Sequence, residues 1–264
     1  MISFGFIGCG NMGGTLALAV AKTVREGVAV ADLSAEAAER IARESGAKVS
    51  SNAELAERAK YLVLGVKPQV LPFVLEEIEP ILSARQDRFV VISMAAGVEI
   101  FTIAHTLGEV PIIRIMPNTP ACIGEGMIVY AANEYVTEEE KETFVKAFSA
   151  AGEIEEIPER LIDAASAVHG CGPAYVYQFI EALADGGVRC GLPRALAMRL
   201  AARMVAGAAD TVLKTGKHPG ELKDAVCSPA GSTIEGVAVL EERAFRGAVT
   251  DAVTAAYQRT KELG

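Results

Sequence analysis

The stretch Ile2-Ser3-Phe4-Gly5-Phe6-Ile7-Gly8-Cys9-Gly10-Asn11-Met12-Gly13-Gly14-Thr15-Leu16-Ala17-Leu18-Ala19-Val20 decides the fold. A short apolar run feeds a glycine-rich turn, and the turn opens an amphipathic segment. That is strand, tight turn and helix, with the glycines in G-x-G-x-x-G spacing. Gly8 permits the turn, Gly10 lets a pyrophosphate approach the backbone, and Gly13 lets the helix pack against the strand. The first turn of such a helix offers unpaired N–H groups and a partial positive charge to phosphate oxygens. A second apolar run, Val28-Ala29-Val30-Ala31, ends in Asp32, where an acid holds the ribose of a bound dinucleotide. The combination predicts a dinucleotide site, although the turn by itself also occurs in other α/β proteins.

Working outward, residues 1–157 alternate strand and helix. Apolar runs recur at 61–66, 89–93, 112–115 and 127–130, with helix-like stretches at 35–45, 53–59, 70–82, 100–107 and 138–150. Near-continuous apolar strands separated by helices predict a mostly parallel, doubly wound sheet of Rossmann type. Ligands of such sheets bind beyond the carboxyl ends of the strands. Three turns sit there: Lys67-Pro68-Gln69, Met94-Ala95-Ala96-Gly97 and Met116-Pro117-Asn118-Thr119-Pro120. Together they are candidates to line one cofactor groove.

From residue 158 to 264 no strand pattern remains. Helices are predicted over 159–168, 173–190, 194–215, 220–226, 232–242 and 244–263. The helix from Pro173 carries Tyr175, Val176, Tyr177, Phe179, Ile180 and Leu183 with few charges, the pattern of a buried helix. The helix from Arg194 is rich in alanine, which allows close approach of another helix. A helical domain of this size leaves apolar surface uncovered when alone, so these two helices are expected to build a homodimer interface.

Composition narrows the function classes. Half of the 264 residues are apolar, enough for a sizeable core, and a net charge of −9 without a basic cluster excludes a nucleic-acid partner. No apolar run reaches the length of a membrane span. The five cysteines, Cys9, Cys122, Cys171, Cys190 and Cys227, are odd in number with no C-x-x-C pair, which fits reduced thiols in the cytoplasm. Cysteine and histidine are too dispersed to predict a metal site.

One loop in the second half is built for a small anion. Cys227-Ser228-Pro229-Ala230-Gly231-Ser232-Thr233-Ile234 opens a helix, so free N–H groups and two hydroxyls there can grip a carboxylate. The same residues also suit a plain turn and cap. At this point the chain resembles pyrroline-5-carboxylate reductase over essentially its full length. The resemblance rests on Gly8–Gly13, Val66-Lys67-Pro68, Ala95-Ala96-Gly97, Met116–Pro120, Gly172-Pro173-Ala174-Tyr175, the 181–188 segment, Gly191-Leu192-Pro193 and Ser228-Pro229 with Gly231-Ser232-Thr233-Ile234.

The resemblance implies reduction of a cyclic imine to L-proline by NAD(P)H, the last step of proline biosynthesis. It implies that Gly8, Cys9, Gly10, Asn11, Met12 and Gly13 hold the pyrophosphate, and that Asp32, Leu33, Ser34 and Asn52 surround the adenosine ribose. Gly65, Val66, Lys67, Pro68, Met94, Ala95, Ala96 and Asn118 then line the nicotinamide side. Gly231, Ser232 and Thr233 contact the substrate, with Glu159 near the same pocket and Thr233 as the catalytic residue. It also implies intertwined homodimers, assembled further into decamers.

The chain departs from the family pattern in three places. The usual Ser-Gly-Ser-Gly-Pro is His169-Gly170-Cys171-Gly172-Pro173, the usual Gly-Gly is Ala230-Gly231, and Ala225 replaces an asparagine. The family habit of using NADP(H) meets a carboxylate, Asp32, that disfavours a 2′-phosphate, so NAD(H) stays open. Two other readings compete. A β-hydroxyacid dehydrogenase needs a lysine acid/base on the long helix of the second domain, and residues 173–190 contain none. A dinucleotide-binding sensor has no use for Gly231-Ser232-Thr233.

Overall fold

β1 (Ile2–Ile7) runs through the glycine turn into α1 (Asn11–Thr23) in the computed structural model, which describes residues 2–24 and 27–263. The chain continues as β2 (Val28–Ala31), α2 (Ala35–Ser45), β3 (Lys48–Val49), α3 (Asn52–Arg58), β4 (Ala59–Leu64) and α4 (Leu71–Ser83). Then follow β5 (Val90–Ser93), α5 (Ile100–Leu107), β6 (Ile112–Met116), β7 (Gly126–Ala132), α6 (Glu138–Phe148) and β8 (Gly152–Glu156). A 3-10 turn, Thr119–Ile123, joins β6 to β7.

The eight strands form one sheet in the order β3-β2-β1-β4-β5-β6-β7-β8. β1 pairs in parallel with both β2 and β4, so the strand order reverses beside it and opens a crevice at the carboxyl edge. The central strands are covered on both faces, which explains their unbroken apolar runs. In β4, Leu62 and Leu64 pack under α3, α4 and α5, while Tyr61 and Val63 pack under α1, α2 and α6. The sheet is mostly parallel as expected, with β7 running antiparallel to β6, and the short strands β3 and β8 are additions that the sequence reading did not include.

The remaining elements are helical: α7 (Ile162–Ala165), a π-helical turn Ser166–Gly170, α8 (Gly172–Arg189), α9 (Arg194–Thr215), α10 (Pro219–Val226), α11 (Ser232–Glu242) and α12 (Phe245–Lys261). The chain divides into two compact units. One holds residues 1–171 and takes back 256–264, and the other holds 172–255. The first unit extends past residue 157 to Cys171, because α7 and the π-turn pack with the sheet.

Within the second unit α8 packs on α9, and the Phe179 and Phe245 rings lie 5.8 Å apart. The apolar character of α8 does not bury it in its own chain. Among its residues Ala184 alone is buried, and in α9 only Ala197 and Ala201 are.

Candidate active site

The glycine turn is held by backbone-to-backbone packing. Gly8 has φ +102, and a Cβ on it would lie 2.7 Å from the carbonyl carbon of Gly65, the residue after β4. A Cβ on Gly13 would lie 2.1 Å from the Gly8 carbonyl oxygen. Larger residues at either place would push β1, β4 and α1 apart. Gly10 caps α1 without a side-chain hydrogen bond, and nothing crowds the space beside it. The first-turn N–H groups of α1 are therefore open to a phosphate.

Asp32 is tied into this turn. Its Oδ2 accepts the Cys9 N–H at 2.6 Å and its Oδ1 accepts the Ser34 N–H at 2.8 Å. One carboxylate thus clamps the end of β2 to the glycine turn. Cys9 itself is buried, and its thiol faces the Ala31 carbonyl at 3.6 Å. Burial, with the nearby Asp32 charge, pushes that thiol up to about 11, so it stays protonated and unreactive at neutral pH.

A cleft of about 420 Å³ opens at the carboxyl edge and brings together Gly8, Gly10, Asp32, Leu33, Asn52, Gly65, Val66 and Lys67. Ile7 and, from the α4 side, Val70, Phe73, Val74 and Glu77 complete its lining. Leu33 and Phe73 are exposed apolar side chains here, the kind of surface a flat base covers. Asn52 Nδ2 donates to Glu77 at 2.9 Å, which adds a second carboxylate beside Asp32.

Other expected cofactor residues lie elsewhere in the first unit. Asn11 and Met12 line a neighbouring cavity of about 390 Å³ together with Arg40, Thr119 and Cys122. Ser34 caps α2, its hydroxyl accepting from Ala37 N–H. Pro68 lines a separate cavity with Leu71, Pro72, Val98 and Leu263. Met94 and Ala96 are half-buried and Ala95 is buried just beyond β5. Asn118 is buried, and its amide serves the main chain: Oδ1 accepts from Met127 N–H at 2.9 Å and Nδ2 donates to the His169 carbonyl at 3.0 Å.

Glu159, expected beside the substrate, has a framework role in the structure. Its Oε1 accepts the Ile100 N–H at 2.6 Å at the start of α5 and meets Arg114 at 3.3 Å. Arg114 is fully buried in β6 and pairs with Asp163 at 2.5 Å, and Lys261 meets the other Asp163 oxygen at 3.2 Å. The Asp163 carboxylate holds the Lys261 ammonium above its ordinary value.

In the second unit, the expected substrate loop precedes α11. Ser228 O accepts the Gly231 N–H at 3.0 Å, closing a tight turn with Ala230 at φ +56. Gly231 is the cap of α11 and supplies no side chain, so the first-turn N–H groups beside Ser232 and Thr233 are open. Both hydroxyl-bearing residues are exposed.

Sequence reasoning missed Val70, Phe73 and Glu77 as cleft residues. The signal was present in α4, whose buried stripe is Leu71, Val74, Leu75, Ile78 and Leu82, leaving Phe73 as an apolar residue off the stripe.

Residues 159–263 match a family model described as pyrroline-5-carboxylate reductase dimerisation, and residues 3–97 match one described as NADP oxidoreductase coenzyme F420-dependent. A pyrroline-5-carboxylate reductase of Glycine max is 41% identical over 99% of this chain and 96% of its own length. That of Escherichia coli (strain K12) is 42% identical over 98% of this chain and 97% of its own. A crystal structure of Plasmodium falciparum pyrroline carboxylate reductase with NADP bound matches with a TM-score of 0.89 at 36% identity. It covers all of this chain and 98% of that one. The chain belongs to the pyrroline-5-carboxylate reductase family.

Proposed function

We propose that the chain reduces 1-pyrroline-5-carboxylate to L-proline with NAD(P)H, the last step of proline biosynthesis. The observation that carries this reading is the open cradle of Gly8, Gly10 and Gly13 at the start of α1, in one chain with a second open helix start bearing Ser232 and Thr233. The cradle fits a dinucleotide, since side chains at Gly8 and Gly13 would displace the backbone that shapes it. When bound, the reduced nicotinamide supplies a hydride to the imine carbon.

The chain supplies position and charge. The first-turn N–H groups of α11 and the Ser232 hydroxyl hold the substrate carboxylate. The Thr233 hydroxyl orients the imine nitrogen, which is the better acceptor when protonated. Asp32, Leu33 and Asn52 face the adenosine end, and Lys67 supplies a positive charge to the same cleft. The cofactor is NADP(H), the dinucleotide bound in the Plasmodium relative. The working unit is a homodimer, assembled further into a decamer. Its place is the cytoplasm, which suits the five unpaired thiols.

One assay separates this reading from its competitors. NAD(P)H oxidation should depend on the imine and ignore β-hydroxyacids; dependence on hydroxyacids, or no turnover at all, overturns it. Thr233→Ala should lower kcat by about tenfold or more, the loss expected for one hydrogen bond that orients the charged reacting nitrogen. Cofactor binding, followed by nicotinamide fluorescence, should stay unchanged. Unaltered kcat would remove Thr233 from the mechanism.

A further inference from the structure

His169 lies in the π-helical turn Ser166–Gly170, and the structure places two main-chain oxygens beside its ring. Nδ1 lies 2.7 Å from the Ala165 carbonyl in its own helical turn, and Nε2 lies 2.9 Å from the Met116 carbonyl at the end of β6. Both ring nitrogens face main-chain oxygens, and a ring carrying one N–H donates to one of the two. The backbone of His169 is tied to the same place, because its carbonyl accepts from Asn118 Nδ2. Asn118 in turn holds Met127 N–H of β7. Side chain and main chain of one residue therefore grip both ends of the Met116-Pro117-Asn118 turn.

That turn leaves β6 at the carboxyl edge, and the 3-10 segment that continues it packs against α1. Thr119 shares a cavity with Gly10, Asn11 and Met12 of the glycine turn. The grip sits in a π-helical turn, a widened form of helix that recurs at functional sites.

We propose that His169, with its ring proton on Nε2, is a positioning residue for hydride transfer: Nε2–H donates to the Met116 carbonyl and fixes the 116–118 turn where it leaves the carboxyl edge of β6. The proposal rests on the reductase reading above. A shift of about 1 Å in such a turn slows the chemical step far more than it weakens binding, up to a hundredfold. Affinity for the dinucleotide comes chiefly from the glycine turn and the adenosine cleft, which His169 does not touch.

Two substitutions separate the two ring contacts. Gln has its amide nitrogen at the reach of Nε2, whereas Asn has it at the reach of Nδ1. His169→Gln should keep kcat within about threefold of wild type. His169→Asn should lose about tenfold or more in kcat with the KM for NADPH changed less than about threefold. The deuterium isotope effect with 4-deuterated NADPH should rise in the Asn variant, because hydride transfer becomes slower than release.

An Asn variant with wild-type kcat overturns the proposal. So does the reverse order, Asn active and Gln slow, which would assign the ring to the π-turn alone. Equal losses in both variants that track their melting temperatures also overturn it. If neither variant folds, the wild-type ring decides by nitrogen NMR: an Nε2 proton protected from solvent exchange supports the tie, and a freely exchanging one ends it. A wild type inert toward the imine would instead sink the reductase reading, and the ring measurement would still test the tie.

Discussion

The two oxygens of Asp32 are both held by backbone N–H groups, so the carboxylate cannot swing away from the ribose end of the cleft without breaking the clamp on Cys9. Glu77, held by Asn52, adds negative charge to the same lining. A dinucleotide with a 2′-phosphate therefore meets like charge there, whereas free ribose hydroxyls meet acceptors. Replacing Asp32 by Ser should raise the ratio of kcat/KM for NADPH to that for NADH by about tenfold, one decade for each ~1.4 kcal/mol of repulsion removed. Steady-state kinetics with both cofactors checks this. An unchanged ratio would leave Asp32 as a clamp of the turn and nothing more.

At the scale of elements, α6 shows how local chemistry fixes a boundary. Thr137 and Glu140 form a reciprocal capping box, and Glu140 also takes Arg88 at 2.7 Å. Burial opposes ionisation of Glu140, but the Arg88 guanidinium and the Thr137 donors outweigh it and hold the carboxyl below its ordinary value. A depressed carboxyl stabilises the fold above the unfolded value, about 4.3, and the contribution fades as pH falls through the lower folded value. Glu140→Gln should cost about 1–3 kcal/mol at pH 7 in urea unfolding, as for a hydrogen bond to a charged group. The gap from wild type should narrow below about pH 4. A gap independent of pH would mean that the loss comes from packing, not from charge.

The same scale shows what a sequence can reveal. The start of α6 at 138 was readable because a helix start is decided over a few neighbouring residues, and the glycine turn because each glycine answers to a neighbour nearby in the chain or across one strand. β8 was hidden: Gly152-Glu153-Ile154-Glu155-Glu156 is an edge strand whose acids face solvent, so it has no apolar run to see. β3 is two residues long and leaves no period at all. The framework role of Glu159 was hidden for a different reason. Its partners, Ile100 and Arg114, lie 59 and 45 positions away, and only the folded sheet brings them together.

For the molecule as a whole, the decisive observation is how little the 172–255 unit buries by itself. Leu200, Met204, Leu213, Val239 and Val249 are all exposed large apolar residues in it. Such a surface marks an interface, and the match of residues 159–263 to a dimerisation family agrees. If subunits stabilise one another, the melting temperature should rise with protein concentration, since association adds to stability by mass action. Calorimetry over a hundredfold range of concentration tests this, and a flat response combined with a monomer mass would contradict it.

The chain leaves its first unit at Cys171 and comes back to it at Ala256, bringing Lys261 to Asp163 and Leu263 to the cavity beside Pro68. In covalent terms the helical unit is therefore a guest inserted into a host. Stopping translation after Cys171 would strip the host of its own closing segment and leave Asp163 without one of its two cations. To obtain the sheet domain alone, residue 171 would have to be spliced by a short linker to residue 256, so that the last piece of the chain goes with the first.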